Sequence, residues 1–164
     1  MHSIDDPAAG DDVEPIIDAV LGASRALVAV AARSLAAVDG TVTLPQFRLL
    51  VVLASRGPQN VGALADELGV HSSTITRMCD RLVKQGLIER EPSTESRREV
   101  IVRLGRRGRR LLDRVTAVRR AAIRDVVARV PVRLRPAMVK ALVALSDAAG
   151  EGPDQAWAAG WGRS

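Results

Sequence analysis

Within ten residues the chain sets six side chains suited to holding a nucleic acid, namely Ser72, Ser73, Thr74, Thr76, Arg77 and Arg81. Short hydroxyl side chains let a helix backbone come close to phosphates and base edges. Arginine reaches guanine N7 and O6, or two phosphate oxygens, with paired hydrogen bonds. Arg97 and Arg98 follow in a polar, turn-prone stretch, EPSTESRRE. Both groups fall inside residues 71–110, which hold eleven bases and five acids, an excess larger than the net +5 of the whole 164-residue chain. Such a stretch is either a solvated face or an electrostatic footprint for a phosphate backbone.

Other chemistries find less support. One cysteine, Cys79, and two histidines cannot supply a Cys/His zinc site from one chain. A single Cys makes no internal disulfide, which predicts a reducing, cytoplasmic setting. There is no Ser/His/Asp order, no Gly-rich phosphate loop, and no pair of carboxylates beside a pocket; the adjacent Asp66 and Glu67 point apart on a helix. The expectation is a protein without catalysis and without a cofactor. Only three aromatics occur, Phe47, Trp157 and Trp161, which argues against binding single strands by base stacking. No uninterrupted apolar run reaches membrane-span length, so no transmembrane helix and no membrane partner are expected. Residues 1–14 carry five acids and no Lys or Arg, unlike a secretory signal peptide.

The elements that must position the arginines follow from periodicity. Apolar residues from Val13 to Val38 recur every three or four positions, as in a long amphipathic helix ended by Asp39-Gly40. Thr43-Leu-Pro-Gln46 reads as a capping box for a helix carrying Phe47, Leu50, Val51 and Ala54. Asn60 caps a short third helix with Leu64, Ala65 and Leu68 on one face, and Gly69 permits a tight turn. A fourth helix spans about 72–85, with Ile75, Met78, Cys79 and Leu82 facing inward and Gly86 beyond its end. The period then shortens. Leu87–Arg90 and Val100–Leu104 are strand-like and flank the polar stretch, which predicts a two-stranded hairpin. Long helical patterns resume from about Gly108, break at Pro131 and end near Ala149-Gly150.

Two helices meeting at a Gly turn, a polar start to the second, and a hairpin behind it make a helix-turn-helix with a wing. Residues 43–112 resemble the winged helix-turn-helix of the multiple-antibiotic-resistance regulator (MarR) family. The resemblance is carried by Thr43-Leu-Pro-Gln-Phe47, Leu64-Ala-Asp-Glu-Leu-Gly-Val70, Ser73-Thr-Ile-Thr-Arg77, Leu82, Gly86-Leu-Ile-Glu-Arg90, Ser96-Arg-Arg98, Val102-Arg-Leu104 and Gly108-Arg-Arg-Leu111. With the flanking helices it covers about residues 13–150. It implies a mainly α fold with a small β-hairpin wing. The domain plan is an acidic, disordered segment 1–12, one domain 13–150, and a flexible tail 151–164. Inside that domain the winged lobe spans about 43–110, with dimerisation helices 13–38 and 108–149.

The resemblance also implies function: a sequence-specific regulator of transcription, expected to be a homodimeric repressor on a pseudo-palindromic double-stranded DNA operator, released by a small-molecule ligand or other signal. The site residues would be Ser72, Ser73, Thr74, Thr76, Arg77 and Arg81 in the major groove and Arg97 and Arg98 at the minor groove. Ser96 stands where the family usually places an acid, His71 where it caps with Ser, and Gly105 where it has Thr. His71 then reads as a cap or phosphate contact, and Gly105 predicts a looser hinge. Arg103, Arg106, Arg107, Arg109 and Arg110 are either a solvated helix start or further phosphate contacts. Cys79 reads as a buried small hydrophobe or a thiol sensor. A ligand pocket between the first, second and fifth helices would draw its base from Arg25 or Arg48. The competing function is a winged-helix interaction adaptor that reads no DNA sequence.

Overall fold

The computed structural model describes residues 13–93 and 99–150. Their order is α1 (Val13–Val38), α2 (Leu44–Arg56), β1 (Gln59–Asn60), α3 (Val61–Leu68), α4 (Ser72–Lys84), β2 (Ile88–Pro92), β3 (Val100–Leu104), α5 (Arg106–Ala128), a 3-10 turn (Val132–Leu134) and α6 (Arg135–Ala148). The expectations for residues 1–12, the wing tip 94–98 and residues 151–164 lie outside the described residues.

Local chemistry sets most boundaries. After α1, the Thr41 amide and hydroxyl both donate to Asp39 Oδ1, at 2.9 and 2.6 Å, and turn the chain. The capping box is formed: Gln46 N donates to Thr43 Oγ1 at 3.4 Å, and Thr43 N donates to Gln46 Oε1 at 2.9 Å. Asn60 Oδ1 accepts from Ala63 N at 2.7 Å and opens α3. Gly69, at φ 64°, takes the left-handed turn between α3 and α4 that a side chain would strain. Past Pro131, Arg135 donates to the carbonyls of Val130 and Ala128, each at 3.1 Å, and so satisfies the end of α5.

The sheet is antiparallel in the order β1-β3-β2, with Ile88 opposite Leu104 and Pro92 opposite Val100. The expected two-stranded hairpin therefore gains a third strand. Asn60, besides capping α3, pairs with Ile101 across the ladder. A two-residue strand is too short to leave a period in the sequence.

One core holds the middle of the chain together. Leu49 and Leu50 of α2, Leu64 of α3, Ile75, Cys79 and Leu82 of α4, Leu87, Ile88 and Val102 at the sheet, and Leu111, Leu112 and Val115 of α5 are all buried. α1 joins it through Leu35, with Val38 packed against it. No residue of α6 is buried, and large apolar side chains of the terminal helices stay uncovered, among them Ile16 at 60% and Val139 at 62% exposure.

Two expectations change. An 18-residue window of α1 is apolar enough, with no more than two charges, to meet the length and composition criterion for a membrane span. Arg25 and Arg33 cut its apolar residues into short runs without making the window polar, so the run-based expectation missed it. The same helix packs along α5. The hinge into α5 is not loose: Gly105 is buried, and its amide donates to the Leu87 carbonyl at 2.9 Å. At Gly108 a Cβ would collide with that same carbonyl oxygen.

Candidate nucleic-acid interface

α4 is amphipathic because Ile75, Cys79 and Leu82 recur at three- and four-residue spacing and enter the core. The opposite face is set by the same geometry. Ser72, Ser73, Thr76, Arg77 and Arg81 are exposed, whereas Thr74 is half-buried. The expected major-groove set thus shares one face of one helix, with Thr74 at its edge. Arg97 and Arg98 lie outside the described residues.

Two of these side chains are tethered to their own helix. Thr76 Oγ1 donates to the Ser72 carbonyl at 2.9 Å, and Arg77 Nε donates to the Ser73 carbonyl at 3.2 Å. Both bonds are exposed, so a nucleic acid could replace them at little net cost. His71 occupies the N-cap position but makes no side-chain cap bond, which removes the capping reading and leaves an exposed imidazole at the helix start.

A residue not singled out from the sequence fixes this helix from the side. Arg90 of β2 donates through Nη2 to the Thr76 carbonyl at 3.3 Å and pairs through Nη1 with Asp80 at 2.7 Å. It binds β2 of the wing to α4. The signal lay in the sequence as Asp80 and Arg90 ten positions apart, but only strand pairing shows that β2 returns alongside α4.

The arginine run after the wing divides. Arg103 pairs with Glu89 and Glu91 of β2, so it is a cross-strand partner. Arg106, Arg107, Arg109 and Arg110 are exposed on the first turns of α5. Cys79 is fully buried, and burial pushes its thiol up; nearby Arg90 opposes that shift only in part. A thiol so placed reacts slowly as a nucleophile.

Between α1, α2, α4 and α5 lies a cavity of about 870 Å³. Its walls are mainly apolar, including Leu44, Phe47, Val51 and Met78, with Arg48, Arg56, Arg119 and Glu67 around them. Of the two expected bases Arg48 lines it and Arg25 does not; Arg56 and Arg119 take that place. Arg56 is paired with Glu67 at 2.7 Å.

A helix-turn-helix, a three-stranded wing and long terminal helices define a winged-helix protein. The MarR family model matches residues 42–100. The crystal structure of RV1404 from Mycobacterium tuberculosis is 46% identical over 87% of this chain and 97% of that one, with a TM-score of 0.80. The chain belongs to the MarR family. Curated relatives include the uncharacterised helix-turn-helix regulator YfiV of Bacillus subtilis (36% identity over 63 residues, 38% of this chain and 39% of YfiV) and the regulator MgrA of Staphylococcus aureus (35% over 63 residues, 38% and 43%). The chain spans about half the length, or less, of these curated relatives. A MarR variant from E. coli complexed with operator DNA shares the fold, at 20% identity, over 82% of this chain and 96% of that one, with a TM-score of 0.62.

Proposed function

We propose that the protein is a cytoplasmic, homodimeric repressor of transcription that reads a pseudo-palindromic DNA operator and is released by a small-molecule signal. The observation that carries this reading is the exposed start of α4, where Ser72, Ser73, Thr76, Arg77 and Arg81 stand clear of the core. In it the helix enters the major groove, Arg97 and Arg98 reach the neighbouring minor groove, and Arg90 holds the helix at its angle to the wing. The winged lobe spans about 43–110. Helices 13–38 and 108–149 pair with a second copy, which covers their apolar side chains and sets the two recognition helices about 34 Å apart. The operator complex of the E. coli relative supports this assignment. The cavity beside α2 takes the signal: apolar walls with arginines suit a small apolar body bearing negative charge.

Selection of binding sites from random duplexes tests the reading. The expected product is a two-fold motif with half-sites one helical turn apart. Affinity falls about 10³–10⁵-fold between 50 and 200 mM salt if six to ten phosphates are neutralised. The Arg98→Ala variant flattens that slope. Failure to enrich any sequence at low salt sinks the proposal and favours an adaptor.

A further inference from the structure

We propose that residues 151–164 are the cavity's internal occupant: Trp157 and Trp161 enter the cavity of their own protomer and compete with the small-molecule signal. The inference rests on the reading of that cavity as a signal site.

Position comes first. Gly150, the last described residue, lines the cavity itself, together with Val51, Met78, Val115 and Arg119. Trp157 follows seven residues later, within about 23 Å of extended chain, so a segment that begins at a lining residue has the length to reach back into the cavity. Composition comes second. Apart from Phe47 in the cavity wall, the two tryptophans are the chain's only aromatics. An indole would bury about 150–250 Å² against such a wall, and 870 Å³ falls in the range of small-molecule sites. Charge comes third. Glu151 and Asp154 open the segment, and Arg48 and Arg119 line the cavity, where Arg56 is balanced by Glu67. A tether this short gives an effective concentration in the mM range, so a segment with an intrinsic affinity of about 0.1 mM fills most cavities and weakens a competitor about tenfold.

The test uses the full chain. Its tryptophan emission comes from this segment alone. The expected spectrum is blue-shifted from that of free indole and resists acrylamide. The shift reverses on adding the anionic aromatic dye 1-anilinonaphthalene-8-sulfonate, and it reverses in the Arg119→Glu variant. The Trp157→Ala/Trp161→Ala double variant binds the dye about tenfold more tightly than the wild type. Solvent-like emission unaffected by dye overturns the inference. So does shielded emission that neither the dye nor Arg119→Glu changes, since the indoles then sit elsewhere. Equal dye affinity in both proteins leaves the cavity as a ligand site and removes its internal occupant. No dye binding in either removes the cavity reading as well.

Discussion

The middle lobe and the terminal helices solve the same burial problem differently. In the lobe, α2, α3, α4, the sheet and the first half of α5 each turn an apolar face onto one shared centre, and Leu49, Leu64, Ile75, Leu82 and Leu112 lose all contact with water. In the terminal helices, Ile16, Leu21, Val126, Val139 and Leu145 keep much of theirs. Exposed apolar side chains in such number mark an interaction surface. The lobe has a closed core, while the terminal helices leave theirs open. In the proposed dimer the second copy covers them and sets where the two α4 helices stand.

Substitutions separate the two regions. The largest effect is expected from Leu82→Ala, which opens a cavity under the recognition helix and costs about 2–5 kcal/mol; urea unfolding measures it, and duplex binding is lost with the fold. Next is Leu142→Asp on α6. The lobe stays folded by circular dichroism, while sedimentation shows a dimer weakened by about 2 kcal/mol or more. A fold lost together with the dimer would erase the distinction between the regions. Arg77→Ala should leave both stability and dimer intact and cost about 1–3 kcal/mol of discrimination at one base pair per half-site. The smallest effect lies at the joint between the regions. The Thr41 hydroxyl and amide hold the Asp39 carboxyl below its ordinary 3.8. A depressed carboxylate stabilises the fold above its unfolded value and loses that contribution as pH falls through the folded one. Asp39→Ala should therefore be slightly less stable than wild type at pH 7, with the gap narrowing as pH falls below 3.8 and through the lower folded value.

What could be read from the sequence was local. Thr43 and Gln46, Asn60 and Ala63, and the turn at Gly69 act across three or four residues, so their spacing foretold α2, α3 and α4. The exposed face of α4 followed from the 3.6-residue period that buries Ile75, Cys79 and Leu82. Contacts made across elements were not legible. Arg90 meets Thr76 and Asp80 only because β2 folds back along α4. Arg103 looked available for phosphate until strand register set it beside Glu89 and Glu91. Arg25 and Arg48 were equivalent in sequence, and only the packing of α2 puts Arg48 on the cavity. The third strand is two residues long, below any periodic signal.

The missing side chain at Gly108 has mechanical weight. With no Cβ there, α5 is seated directly on the Leu87 carbonyl, which also accepts the Gly105 amide, while the Leu87 amide donates to Leu82 at the foot of α4. Two turns or so further along, the same α5 presents Val115 and Arg119 to the cavity. Helix and peptide mesh like a toothed gear, so in the proposed mechanism a molecule that wedges α5 aside pulls on the foot of α4 through Leu87.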